Sequence, residues 1–190
     1  MEKLFEFSAR VISFVSMDFS RYLMEEIKWE HRLIGIKGAR GVGKTTLALQ
    51  RLKLTGLSSQ QAAYFSLDDL FFTNHALRDV VDLFYKSGGE LVVLDEVHKY
   101  PNWSLEIKNL TDYYPNLRII FTGSSIIDIA QQEGDLSRRA LIYELPGLSF
   151  REYLALKKKI NLTKIRLTDL INNSGELVAK LPLDFRPLAY

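Results

Sequence analysis

Short apolar runs alternate with amphipathic segments along most of the chain. Five runs have the continuous apolar character of strands that are buried on both faces, at residues 33–36, 62–67, 91–94, 117–121 and 140–145. Helical spacing is found at residues 45–54, 76–86, 101–113, 126–132 and 149–158. Strands that alternate with helices form a parallel sheet covered on both faces, so the pattern predicts a three-layer α/β fold.

The first 30 residues have a different pattern from the rest. Their apolar positions recur at mixed three- and four-residue steps, which predicts one or two amphipathic helices. Arg10, Asp18 and Arg21 interrupt this region too early for a membrane span of about 20 apolar residues. Glu2 and Glu6 are unlike the basic start of a signal peptide. We therefore expect a cytoplasmic protein that does not contact a membrane.

The composition excludes some classes of function. The net charge of +2 gives no global electrostatic case for binding nucleic acid or a membrane surface. The chain has no cysteine, which excludes disulfides and thiolate metal sites. At 190 residues the chain is long enough to bury a substantial apolar core.

A glycine-rich stretch follows the first predicted strand and opens a helical pattern. It reads GARGVGKTT and satisfies G-x-x-x-x-G-K-[ST], the phosphate loop or Walker A pattern. Backbone amides of such a loop cradle the phosphates of a nucleotide, the lysine neutralises them, and the hydroxyl after it ligates Mg²⁺. The predicted nucleotide-binding residues are Gly38, Ala39, Arg40, Gly41, Val42, Gly43, Lys44, Thr45 and Thr46, with Thr45 also predicted to bind Mg²⁺.

Two carboxylates end the apolar strand at 91–94, although an unpaired buried carboxylate is expensive. In a phosphate-loop site, a strand-terminal aspartate such as Asp95 holds Mg²⁺, and the metal offsets its charge. Glu96 is placed to polarise or orient the water that attacks the γ-phosphate. The alternatives are a turn residue for Asp95 and a solvated surface acid for Glu96.

Hydroxyl and arginine side chains follow the next predicted strands. Thr122 or Ser124 can contact the γ-phosphate or the attacking water as a sensor of nucleotide state, and Ser124 is equally suited to cap a helix. Arg138 and Arg139 precede the last predicted strand and can reach a γ-phosphate in the same chain or across a subunit contact. A solvated basic turn is the alternative for both arginines.

Taken together, GARGVGKTT, LVVLDEVHKYPNW, LRIIFTGSS and LSRRALIYELPGLSFREYL resemble the AAA-type ATP-binding proteins of bacteria and archaea that carry an uncharacterised C-terminal domain. The resemblance implies a P-loop fold with sheet order 5-1-4-3-2 and ATP as the nucleotide. It implies metal and catalytic roles for Asp95 and Glu96, and a sensor strand ending at residues 122–125. It also matches Arg138 or Arg139 to the arginine before the last strand.

The resemblance also sets the expected domain organisation. We expect an N-terminal helical segment at residues 1–30, an ATPase core at 31–155, and the start of a truncated helical or lid region at 156–190. The related proteins continue well beyond the point where this chain stops, so a partner domain is expected to be missing.

Several functions fit the pattern to different degrees. The first is a Mg²⁺-dependent ATPase that drives a change in an attached or partner domain. The second is a nucleotide-gated switch or scaffold with little turnover. A nucleic-acid motor would need more basic charge than this chain has. A Ras-like GTPase would need an N-K-x-D motif, which the sequence lacks.

Overall fold

The computed structural model describes residues 1–123, 136, 138–162 and 167–172. The chain forms two compact units, Met1–Gly147 and Leu148–Tyr190. The sheet and every residue of the site described below belong to the first unit. The three-part division expected from the sequence stays a prediction.

Helices and strands alternate through the first unit. The helices of the described residues are α1 (Glu2–Phe14), α2 (Leu23–Glu26), α3 (Lys44–Leu54), α4 (Leu77–Lys86), α5 (Trp103–Tyr113), α6 (Phe150–Lys158) and α7 (Leu167–Asn172). The strands are β1 (Leu33–Lys37), β2 (Ala62–Ser66), β3 (Leu91–Asp95), β4 (Arg118–Gly123) and β5 (Leu141–Glu144). Short 3₁₀ turns lie at Leu70–Thr73 and Val97–Lys99.

The five strands form one parallel sheet in the order β2-β3-β4-β1-β5. This is the order 5-1-4-3-2 read from the opposite edge, so the predicted fold is confirmed. The register pairs Ile36 with Thr122 and Ser66 with Asp95. The carboxyl ends of the four strands β1 to β4 therefore meet at one edge of the sheet, where parallel α/β sheets place their ligands.

Two apolar layers cover the sheet. On one face, α4 and α5 pack against the strands through residues such as Val80, Phe84 and Ile107. On the other face, α2 and α3 bury residues such as Leu23 and Leu47. Neighbouring strand residues alternate between the two layers, which is why each strand reads as a continuous apolar run.

The N-terminal helix α1 lies along the edge strand β2. Its first turn contributes Leu4 to one apolar layer, and Val11 packs against the other. The buried Ser8 hydroxyl accepts a hydrogen bond from the Tyr64 amide at 2.7 Å. An edge strand exposes unpaired amides. Helix α1 covers β2 and supplies a hydrogen-bond acceptor for the Tyr64 amide.

The sequence predicted these elements with errors mainly at their ends. β4 extends to Gly123, two residues beyond the predicted strand, and the N-terminal region forms a 13-residue helix and a single short turn of helix. A capping box opens α6, with Ser149 and Glu152 bonded to each other's backbone amides. The predicted helix at 126–132 lies outside the described residues. None of the described helices is long and apolar enough to cross a bilayer.

Candidate nucleotide and magnesium site

The glycine loop joins β1 to α3 and has the backbone shape that its glycines predict. Gly43 precedes the first residue of α3 with φ of +97°, a left-handed conformation that favours glycine. At Gly38 a side chain would collide with the Leu145 backbone oxygen, because the loop passes close to the segment after β5. The loop is therefore held between the N-terminus of α3 and the end of β5.

Lys44 lies inside this loop and is 4% exposed. Its Nζ donates to the backbone oxygens of Gly38 and Ala39, each at 3.0 Å. A buried ammonium needs such partners because an unpaired charge is strongly disfavoured away from water. The lysine charge thus lies within the curl of the loop, and the side chains of Arg40 and Thr46 are exposed.

Asp95 ends β3, is 3% exposed, and accepts hydrogen bonds from three hydroxyl groups. Thr45 Oγ1 and Tyr64 Oη each donate to Oδ2 at 2.8 Å, and Thr122 Oγ1 donates to Oδ1. Burial, and then the neighbouring Asp95, raise the pKa of Tyr64 above its ordinary value, so its hydroxyl keeps the proton that it donates. The strand-end carboxylate is therefore joined directly to the first turn of α3.

Glu96 follows Asp95 in a left-handed backbone conformation, with φ of +54° and ψ of +42°. This conformation is uncommon for a residue with a side chain, and such outliers concentrate at functional sites. The Glu96 amide donates to Thr122 Oγ1 at 3.2 Å, and its carboxylate lies 3.5 Å from His98 Nε2. Thr122 thus links the two acidic residues.

The oxygen atoms of Thr45 and Asp95 suit a small divalent cation. Mg²⁺ prefers oxygen ligands at about 2.0–2.1 Å in octahedral geometry, so two adjacent ligands lie about 2.9 Å apart. Thr45 Oγ1 and Asp95 Oδ2 are separated by 2.8 Å. Among the described residues, no group of three or more His, Cys, Asp or Glu could hold a metal. The donor set therefore fits Mg²⁺ that takes its other ligands from phosphate and water, rather than an all-protein cage.

The structure brings most of the predicted site residues to one sheet edge. Thr45, Asp95, Glu96 and Thr122 form one hydrogen-bonded group, and Lys44 directly precedes Thr45. Thr122 is fully buried and is hydrogen-bonded to both neighbouring acids, and its predicted role as a sensor of nucleotide state stays a prediction. The predicted contact at Ser124 lies outside the described residues.

Arg138 and Arg139 lie near the amino ends of the strands, at the edge of the sheet opposite the glycine loop. Both are exposed, and Arg139 Nε lies 3.4 Å from Asp112 Oδ1. They directly precede β5, where Leu141 pairs with Ile34 near the start of β1, whereas the glycine loop follows the end of β1. The structure does not bring these arginines to the loop of their own chain. A contact with a nucleotide bound by another subunit stays a prediction.

Two residues contact the site without any signal in the sequence patterns. In the sequence pattern Tyr64 is an apolar position of the predicted strand at 62–67, although its hydroxyl donates a hydrogen bond to Asp95. In the sequence pattern Arg21 only interrupts the N-terminal apolar region, although its Nη1 donates to the backbone oxygen of Val42 in the loop. Both contacts join segments that are distant in sequence, and a spacing rule detects only local relations.

A parallel α/β sheet with a glycine loop of this pattern between β1 and α3 is typical of P-loop nucleotide-binding proteins. A family model described as an AAA domain matches residues 30–154 of the chain. The chain belongs to this AAA domain family.

Comparison with known proteins finds one informative relative. An uncharacterized protein of Methanocaldococcus jannaschii is 35% identical over 154 residues, which is 75% of this chain and 32% of that protein. The chain therefore spans about a third of the length of this relative.

Two solved structures are similar at the level of overall shape. The structure of C. elegans PCH-2 has 17% identity and a TM-score of 0.49, covering 91% of this chain and 53% of the other. AMPPCP-bound DnaA from Aquifex aeolicus has 20% identity and a TM-score of 0.46, covering 83% and 56%. Because both scores are below 0.5, the fold assignment rests on the sheet order and the family match.

Proposed function

We propose that the chain binds ATP with Mg²⁺ at the glycine loop and hydrolyses the terminal phosphate bond. The observation that carries this proposal is the contact of 2.8 Å between Thr45 Oγ1 and Asp95 Oδ2. It places the acid of β3 and the hydroxyl of α3 where they can share one cation next to the loop. The family match supports nucleotide binding, and this contact supports a metal ion beside the nucleotide.

Each residue of the group has a role in this proposal. The loop amides and the Lys44 ammonium bind the phosphates, and Thr45 and Asp95 hold the Mg²⁺. When bound, the metal neutralises charge that develops on the phosphate oxygens. Glu96 orients the attacking water and accepts its proton, and Thr122 fixes the relative position of Glu96 and Asp95. The carboxylate of Glu96 is partly exposed, so water can reach it.

A switch with little turnover is the second candidate. Where an arginine stabilises the transferring phosphoryl group, it raises turnover by orders of magnitude. Among the described residues, Arg139 lies at the edge of the sheet opposite the glycine loop and pairs with Asp112. Arg21 donates its hydrogen bonds to backbone oxygens. The chain also spans about a third of its relative. We propose that faster turnover and coupling to mechanical change depend on a second subunit or a further domain.

Calorimetry with ATP, GTP and Mg²⁺ on the parent chain and on Lys44→Ala tests nucleotide binding. Removing the ammonium is expected to weaken ATP binding about 10- to 100-fold, the effect of losing charge-assisted hydrogen bonds to phosphate. Lys86→Ala is the control, because Lys86 pairs with Asp82 at the end of α4. Equal binding by the parent and Lys44→Ala would remove the glycine loop from the proposal.

Tyr64→Phe is expected to lower Mg²⁺-dependent ATP hydrolysis about 3- to 10-fold, because Asp95 loses one of the hydroxyl groups that orient it. The measurement is the rate of phosphate release over a range of Mg²⁺ concentrations. Tyr114→Phe is a matched control, since its hydroxyl donates at 2.6 Å to Asp82, which lies on α4. Equal losses in both variants would indicate a general effect on the fold and contradict a role at Asp95.

A further inference from the structure

The N-terminal segment reaches the glycine loop through a buried guanidinium. Arg21 is 5% exposed, although it lies in a connection between two helices. Its Nη1 donates to the Val42 backbone oxygen, and its Nη2 donates to the backbone oxygens of Pro146 at 2.8 Å and Gly147 at 3.1 Å. One planar group thus joins the loop to the segment that leaves β5.

A second contact fixes the approach of this segment. Gln50, on α3, is 2% exposed, and its Nε2 donates to the backbone oxygens of Ser16 at 2.8 Å and Phe19 at 2.7 Å. Leu23 follows Arg21 closely and is buried in the apolar layer with α3. The backbone around Arg21 is therefore held by α3, the helix that follows the glycine loop.

The bond to Val42 determines how one peptide of the loop is turned. In a planar trans peptide, the carbonyl of one residue and the amide of the next point in opposite directions. With the Val42 oxygen held on Arg21, the Gly43 amide is directed away from Arg21. A loop that binds an anion needs its amides turned inward and its carbonyls occupied elsewhere. Lys44 occupies the oxygens of Gly38 and Ala39, and Arg21 occupies that of Val42.

We propose that Arg21 is a positioning residue for the phosphate loop, which it ties to the chain segment that leaves β5. It acts through the Val42 carbonyl and needs no contact with the nucleotide. The inference rests on the proposed function, since ATP is the ligand whose binding the ordered loop favours. The loop orientation itself is a property of the free protein and is testable without nucleotide.

Limited trypsin digestion in the absence of nucleotide tests the tie directly. Arg40 is an exposed residue of the loop, and cleavage after it requires the loop to open. Arg21→Gln is expected to speed this cleavage about tenfold, because cleavage follows the population of the open loop. Arg21→Lys, whose ammonium cannot bridge the separate carbonyls as a guanidinium does, is expected to give an intermediate rate. It also provides the test if the Gln variant does not fold.

Arg32→Gln is the matched control. Arg32 also donates to a backbone oxygen, that of Thr111, but it precedes β1 and lies at the opposite end of that strand from the loop. Cleavage after Arg40 is expected to be unchanged in this variant. If the folded Arg21 variants are cleaved at the parent rate, the proposal is overturned, whether or not the chain binds ATP.

ATP affinity separates this inference from the proposed function. Calorimetry on Arg21→Gln is expected to show about tenfold weaker ATP binding at a temperature where the variant remains folded. If the parent binds no ATP, the proposed function fails, and the cleavage rates still decide whether Arg21 orders the loop. If the parent binds ATP and the Arg21 variants bind equally well, the positioning role is wrong.

Discussion

Replacing Glu96 by Gln is expected to leave ATP binding within about twofold of the parent and to lower hydrolysis about 10²- to 10⁴-fold, the range for loss of a general base. Gln has nearly the same size as Glu, but its amide cannot accept a proton from the attacking water. The backbone bond from the Glu96 amide to Thr122 does not involve the side chain and is retained. The measurements are ATP calorimetry and steady-state phosphate release.

Glu90→Gln is a control at the other end of the same strand. Glu90 directly precedes β3, and its carboxylate accepts a hydrogen bond from Gln61 Nε2 at 2.7 Å. Its replacement is expected to leave hydrolysis unchanged. If hydrolysis by Glu96→Gln equals that of the parent, Glu96 is not the general base of the proposal. A parent chain that binds ATP and releases no phosphate would favour the switch.

The fold could be predicted because its signals are local. β1 and β3 are short apolar runs with polar ends, and both faces of each strand are covered by helices. The glycine pattern before Lys44 indicated the loop because its spacing is set by the path of the backbone. The strand order, in contrast, came from family resemblance, since apolar runs do not reveal which strands are neighbours.

The parts of the site that escaped prediction depend on contacts between distant segments. Tyr64 and Asp95 lie on neighbouring strands, and their pairing follows from sheet order and register. Arg21 reaches the loop from an N-terminal segment that is hydrogen-bonded to Gln50 on α3. Arg139 precedes β5 and therefore lies at the amino edge of the parallel sheet, so its predicted contact with a nucleotide would have to come from another subunit and stays a prediction. The candidate nucleotide site lies at the carboxyl edge.

The position of Thr122 could be predicted from the sequence, but its hydrogen-bond partners could not. The sequence placed a hydroxyl at the end of the strand beside Asp95, and the structure has it there. Its single O–H donates to the Asp95 carboxylate, and one of its two lone pairs accepts from the Glu96 amide. Thr122 therefore supports the acid pair, and donating a hydrogen bond to a phosphate oxygen would require its bond to Asp95 to break.

Asp95→Asn is expected to abolish the Mg²⁺ dependence of ATP binding and to lower hydrolysis by about 100-fold or more, since a bound metal contributes several kcal/mol to charge stabilisation. A carboxylate only accepts hydrogen bonds, which suits the three hydroxyl donors around it. The amide group of Asn would direct a donor at one of them. We therefore also expect the free energy of unfolding to fall by about 1–3 kcal/mol.

The measurements for this variant are ATP calorimetry across a range of Mg²⁺ concentrations, phosphate release and denaturant unfolding. Asp112→Asn is the control, because Asp112 pairs with Arg139 at the opposite edge of the sheet. The two acid variants are expected to differ: Glu96→Gln keeps Mg²⁺-dependent binding, whereas Asp95→Asn loses it. If Asp95→Asn retained the Mg²⁺ dependence of the parent, the cation would bind elsewhere, and the proximity of Thr45 and Asp95 would be a structural hydrogen bond without a metal role.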